Sequence, residues 1–310
     1  TALLPIEAAL PEVKAALLKH GMAVLQAPPG AGKTTRVPLF LLDENLCQGR
    51  ILMLEPRRLA ARAAAERMAD VLGETVGQTI GYRMRGEHKT GPNTRVEVIT
   101  EGILTRMIQT DPELTGVGCV IFDEFHERSL QADMGLAFTL EIRDALRDDL
   151  RLIVMSATLD AEPVAKLIGG APVVTSQGRS FPVELRYLDR PIKRSFRKGE
   201  RLEDHATTLI EKALSETQGS VLVFLPGEGE IRRVQSALQV PEDVVVRPLF
   251  GAMPFAKQRK AIQPAKTGRK VVLATSIAET SLTIEDVRVV VDCGLARRAE
   301  FDAGSGMSRL

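Results

Sequence analysis

The segment that most narrows the fold is Ala27-Pro28-Pro29-Gly30-Ala31-Gly32-Lys33-Thr34, which follows an apolar run at 22–26 and opens a helix-forming stretch at 32–42. A glycine-rich turn between a buried strand and a helix lets successive backbone N–H groups converge on an anion, and the helix N-terminus adds partial positive charge. Lys33 can then reach the outer phosphates of a nucleoside triphosphate, and the Thr34 hydroxyl can ligate magnesium. Ala27 stands at the first position of the pattern instead of glycine, a small departure that ordinary backbone angles tolerate. The candidate ATP contacts in this loop are Pro29, Gly30, Ala31, Gly32, Lys33, Thr34 and Thr35.

The chain goes on alternating. Residues 11–19 read as a helix, with Pro11 at its first position and Gly21 just past its end. Buried strands are expected at 51–54, 117–122 and 152–155, and helices at 59–72 and 129–146. Uninterrupted apolar strands separated by helices imply a parallel sheet covered on both faces. A Gly-, Pro- and Ser-rich stretch at 169–182 interrupts the series, which places one lobe at 1–176 and a second at 177–310. The second lobe repeats the pattern: helices at 203–216, 228–238 and 254–262, strands at 220–225, 244–248, 270–274 and 287–292, then a polar hairpin over 295–310. A length of 310 residues suits two such lobes. The fold class is therefore α/β, with two tandem doubly wound parallel-sheet lobes.

The second chemical element is Asp123-Glu124, at the end of the apolar run Cys119-Val120-Ile121-Phe122. In an open parallel sheet, ligands bind outside the carboxyl ends of the strands. Asp123 is thus expected beside the phosphate loop, holding magnesium through water, with Glu124 polarising the attacking water. Lys33, Asp123 and Glu124 form the candidate catalytic set, and Thr34 and Asp123 the candidate magnesium set.

Charge and composition remove other classes. The 41 basic and 40 acidic residues nearly cancel, so nucleic acid would need a local basic groove. No apolar run approaches the roughly 20 residues of a membrane span, and the first residues lack the features of a secretory signal. The three cysteines, Cys47, Cys119 and Cys293, are far apart, which fits a reducing, cytoplasmic setting and no zinc site. His20, His88 and His205 have no metal-ligand or triad spacing, and Ser156 lacks a nucleophile elbow. Lys193-Arg194-Ser195-Phe196-Arg197-Lys198, a basic run with one aromatic, reads first as a solvated loop and second as an RNA contact.

Asp-Glu-x-His after a phosphate loop resembles the DEAH/DExH branch of superfamily 2 RNA helicases, and further motifs follow in that family's order. Pro56-Arg57-Arg58-Leu59-Ala60-Ala61 resembles motif Ia and Thr100-Glu101-Gly102-Ile103-Leu104 motif Ib. Ser156-Ala157-Thr158 is similar to motif III, and Leu222-Val223-Phe224-Leu225-Pro226-Gly227 to motif IV. The run from Thr275 to Ile284 resembles motif V. With Phe125 inside the acidic motif and Glu127-Arg128-Ser129-Leu130 after it, the chain is most similar to the bacterial HrpB-type group.

The resemblance implies two RecA-like lobes of the P-loop NTPase fold, with nucleotide in the cleft between them and single-stranded RNA across their tops. It implies ATP (or another NTP) and Mg2+ as cofactors, and 3′-to-5′ movement along a strand. Arg57, Arg58, Thr100, Pro226, Gly227, Ser276 and Thr280 are the implied RNA contacts. Ser156, Thr158 and His126 would link nucleotide state to lobe movement, while Arg67, Ser281 and Glu285 would face the nucleotide. Ile262 stands where the family often has an aromatic opposite Arg67, which implies weak base stacking and loose nucleotide selectivity. The family's motif VI would follow the 295–310 hairpin, so the chain is expected to be a weakly active piece of a longer protein. A monomer is the default expectation. Two other readings stay open: a helicase-like binding module without turnover, and a DNA translocase of the same superfamily.

Overall fold

The computed structural model describes residues 4–157, 161–178, 182–188, 201–265, 267–279, 284–297, 300–302 and 304–309. They fall into two compact units, 1–183 and 184–310. Strands β1 (Met22–Gln26), β2 (Arg50–Glu55), β3 (Ile80–Met84), β4 (Glu87–Lys89), β5 (Val96–Thr100), β6 (Val117–Phe122), β7 (Arg151–Ser156) and β8 (Val173–Thr175) belong to the first unit. They make one sheet in the order β4-β3-β5-β2-β6-β7-β1-β8. Every pairing is parallel except β3 with β4, an edge hairpin.

Helices α1 (Leu10–His20), α2 (Lys33–Asp43) and α3 (Arg58–Leu72) bury apolar residues in one core cluster. Helices α4 (Glu101–Thr110), α5 (Leu130–Ala145) and α6 (Ala161–Leu167) do so in another. The strands divide between the two clusters by alternation: Cys119 and Ile121 of β6 join the first, and Val120 and Phe122 the second. A strand with two buried faces has no polar face, which is why these strands read as continuous apolar runs. Helix α1 stops where expected, because Gly21 takes φ 69° and its N–H closes on the Leu17 carbonyl.

Between 73 and 100, where the sequence shows no clear strand pattern, the structure has β3, β4 and β5. The pattern was hidden by Glu97, which is fully buried in the middle of β5. Its carboxylate is held by Arg83 Nε at 2.7 Å and Arg50 Nη1 at 3.1 Å, so a charge sits where the apolar rule forbids one. Strand β8 lies inside the Gly- and Pro-rich stretch and pairs with β1, Val24 against Val173.

In the second unit β9 (Ser220–Phe224), β10 (Val244–Leu249), β11 (Arg269–Ala274) and β12 (Val287–Asp292) form a parallel sheet in the order β10-β11-β9-β12. Helices α7 (Leu202–Glu216), α8 (Glu228–Ala237) and α9 (Phe255–Ile262) join these strands. Val221, Val223, Val271 and Leu273 centre its core with Ile210 of α7 and Ile231 of α8. Strands β13 (Glu300–Asp302) and β14 (Met307–Arg309) pair antiparallel, the expected hairpin. Lys270 is buried, and its ammonium bonds the carbonyls of Ala261, Ile262 and Gln263 at 3.0, 2.9 and 2.5 Å. It thereby closes the carboxyl end of α9.

Candidate nucleotide and nucleic-acid site

The phosphate loop runs from β1 into α2. Gly30 and Gly32 take φ 78° and 94°, which a side chain adopts only under strain. At Gly32 a Cβ would also meet Leu4 Cδ1 at 2.8 Å. Gly32 is the N-cap of α2 and no side chain caps its first turn. The orphan N–H groups of that turn are thus left for an anion.

Strand β6 delivers the acidic pair to this loop. Thr34 Oγ1 donates to Asp123 Oδ2 at 2.5 Å, and Lys33 Nζ donates to Glu124 Oε1 at 2.6 Å and lies 4.0 Å from Asp123 Oδ1. Burial opposes the Lys33 charge, but Asp123, then Glu124, outweigh it and raise its pKa. Burial and the Asp123 charge push Glu124 up against the pull of Lys33 and His126. That direction suits a group asked to take a proton from water. Glu124 takes φ 49° and ψ 35° and opens a single-turn 3-10 helix, Phe125–Glu127. His126 Nε2 lies 3.4 Å from Glu124 Oε2, while its Nδ1 accepts from the Ala157 N–H at 3.3 Å. The structure therefore joins the acidic motif to the Ser156-Ala157 segment. Ser156 ends β7, buried, and Thr158 lies outside the described residues.

Sequence reasoning missed a third carboxyl. Glu55 ends β2 at 1% exposure, and its Oε2 has no hydrogen-bond partner. Burial first, then Asp123 next to it, hold its pKa well above the ordinary carboxyl range. The apolar runs of β2 and β6 each end in an acid at the next position, but only the pairing of β2 with β6, Leu54 beside Phe122, brings the two acids together. Thr34 Oγ1, Asp123 and the orphaned Glu55 oxygen are hard oxygen donors of the kind Mg2+ takes alongside phosphates and water. Among the described residues no cluster of three or more His, Cys, Asp or Glu side chains could hold a metal by itself.

The candidate nucleic-acid residues of the first unit gather at the carboxyl ends of β2 and β5. Arg57 is the N-cap of α3, with Arg58 following, and Thr100 is the N-cap of α4. Arg57 Nε and Nη2 each stand 3.4 Å from Glu127 Oε2. Arg58 donates to the Arg85 carbonyl at 3.0 Å. Ser129 caps α5 and donates to Glu101 Oε2 at 2.5 Å. Glu127, Ser129 and Glu101 stand inside the quoted motifs, and the sequence assigned none of them a role. Arg67 is exposed in the second half of α3.

In the second unit Pro226 and Gly227 follow β9 and Ser276 follows β11, so all three stand at the carboxyl end of that sheet. Glu285 is different: it precedes β12, whose first residue Val287 aligns with Ser220, and so stands at the opposite end of the sheet. Thr280, Ser281 and the basic run from Lys193 to Lys198 lie outside the described residues. No helix among the described residues is long and apolar enough to cross a membrane.

Residues 8–167 match the DEAD/DEAH box helicase family model, and residues 204–303 match that of the helicase conserved C-terminal domain. The chain is similar to the ATP-dependent RNA helicase HrpB of Escherichia coli K12, at 54% identity over 99% of this chain and 38% of that protein. It is 37% identical to the pre-mRNA-splicing factor ATP-dependent RNA helicase prp22 of Schizosaccharomyces pombe, over 95% of this chain and 26% of that one. A crystal structure of the Escherichia coli DEAH/RHA helicase HrpB superposes with a TM-score of 0.90, covering 99% of this chain and 39% of the other. The chain thus spans well under half the length of these relatives.

Proposed function

The chain belongs to the DEAD/DEAH box helicase family, and on that premise we propose that it is the motor core of an ATP-dependent RNA helicase. The observation that carries this reading is the bonded set Lys33–Glu124 and Thr34–Asp123 at the mouth of an uncapped helix. The triphosphate lies along residues 29–35, its oxygens taken by backbone N–H groups and by Lys33. Lys33 then turns from Glu124 to phosphate, and Glu124 is released to polarise the attacking water. Thr34 and Asp123 would hold Mg2+, which would supply charge neutralisation on the phosphates. His126 passes the state of Glu124 to the segment of Ser156, Ala157 and Thr158.

Single-stranded RNA contacts Arg57, Arg58 and Thr100 on the first lobe and Pro226, Gly227, Ser276 and Thr280 on the second. DNA is the alternative strand. Arg67, Ser281 and Glu285 serve as outer nucleotide contacts, although Glu285 precedes β12, at the end of the sheet opposite Pro226, Gly227 and Ser276. The lobes divide between 176 and 177, movement runs 3′ to 5′, and the setting is cytoplasmic. The nucleotide is ATP or another NTP, held with loose base selectivity, and the chain acts as a monomer.

The test is Glu124→Gln. It should bind ATP as the parent does and turn it over about a hundredfold or more slowly, in line with general-base loss. Unchanged turnover removes Glu124 from the role. Competition between single-stranded RNA and DNA at a stated salt concentration decides the strand.

A further inference from the structure

Residues 124–129 reach four separate parts of the first unit. Glu124 holds Lys33 at 2.6 Å, His126 holds the Ala157 N–H at 3.3 Å, Glu127 leans on Arg57 at 3.4 Å, and Ser129 donates to Glu101 at 2.5 Å. Glu124 and Arg128 take φ 49° and 45°, in the left-handed region. Such a conformation is strained for a residue with a side chain and persists only where surrounding contacts fix it. Phe125 is one anchor, buried edge-on against Phe122 with ring centroids 6.1 Å apart. Arg128 is another, donating twice to Asp133 at 2.9 Å.

The Glu127–Arg57 contact is the soft member of the set. Two guanidinium nitrogens share one carboxylate oxygen at 3.4 Å, with the side chains 28% and 17% exposed. A tight charge-assisted pair stands at about 2.7–2.9 Å. A phosphate diester arriving at Arg57 offers paired oxygens to the same planar fork and competes with Glu127 directly. Only Phe125 and His126 separate Glu127 from Glu124, all within one strained turn.

We propose that Glu127 is a positioning residue that couples nucleic-acid phosphate at Arg57 to the placement of Glu124. The inference rests on the reading of Arg57 as a nucleic-acid contact. Without nucleic acid, Glu127 holds both the guanidinium and the turn. When phosphate takes Arg57, the turn loses that restraint and Glu124 moves more freely from Lys33. By reciprocity, nucleotide drawing Lys33 away from Glu124 alters the hold on Arg57.

The test measures binding, not turnover. The dissociation constant of a labelled oligouridine is determined with and without a non-hydrolysable ATP analogue and Mg2+, for the parent chain and for Glu127→Gln. The analogue's own affinity without RNA and the thermal stability are followed in parallel. The parent should show RNA affinities that differ several-fold between nucleotide states. In Glu127→Gln the nucleotide-free affinity should tighten by about threefold or more and the ratio should approach one, with analogue affinity within about twofold of the parent. Glu127→Asp should restore part of the ratio. A parental ratio in Glu127→Gln overturns the proposal. So does a ratio lost together with stability and nucleotide affinity, which marks a purely structural role. A parent that binds RNA equally in both nucleotide states overturns the coupling alone. A parent that binds no RNA overturns the nucleic-acid reading and the coupling with it.

Discussion

Replacing Glu55 by glutamine should stabilise the first unit at neutral pH, and by an amount that depends on pH. Glu55 is 1% exposed, Asp123 lies beside it, and its Oε2 is unpaired. Its folded pKa is raised, by burial first and by Asp123 next. A carboxyl raised on folding contributes most below its unfolded pKa of about 4.3, and that contribution is lost as pH climbs through the folded value. Every tenfold change in the folded protonation constant is about 1.4 kcal/mol. Glutamine keeps the shape, carries no charge at any pH, and can donate its amide to Asp123. Ionising this buried acid beside Asp123 costs at least what an unpaired buried polar group costs, roughly 1–3 kcal/mol, so a gain of that order is expected at pH 8 and little at pH 4.5, where the acid is protonated. For a unit of this size, that corresponds to roughly 2–10 °C in melting temperature. The assay is thermal unfolding in EDTA, without nucleotide, at both pH values, following the transition that ATP and Mg2+ shift. A variant no more stable than the parent at pH 8 would refute the reasoning, as would the same difference at both pH values.

Two further predictions concern packing. Phe125→Ala removes a ring buried against Phe122 and beneath Arg128, so urea unfolding should show the first unit losing about 3 kcal/mol. A loss below about 1 kcal/mol would mean that the acidic turn is not anchored there. Lys270→Met leaves the three carbonyls at the end of α9 without their shared donor and should destabilise the second unit by about 2 kcal/mol. An equally stable methionine variant would mean that burying the ammonium cancels its hydrogen bonds.

Much of the site was written locally. The phosphate loop could be read from glycine spacing, and the structure puts Gly30 and Gly32 at positive φ and leaves the first turn of α2 open. Asp123 and Glu124 could be placed beside it because an acid ending a buried parallel strand faces the carboxyl edge of the sheet. Glu97 and Glu55 were not legible, for a common reason. Each is an acid in a run that should be apolar, and what settles it comes from another strand: Arg50 and Arg83 pair with the Glu97 carboxylate, while burial and the neighbouring Asp123 favour the neutral acid at Glu55.

Apart from β3, β4, β5 and β8, strand identity follows from neighbours within a few residues, as do helix ends and the two repeated α/β series, because period and glycine placement act directly there. Strand order does not. That β2 lies between β5 and β6, so that Glu55 meets Asp123 and Arg57 meets Glu127, follows from which strands pair, a choice made by burial on both faces of the whole sheet. The bonded acidic cluster is therefore a product of packing. Its chemistry depends on the buried surroundings that raise Glu124 and hold Lys33, and no window of sequence contains both.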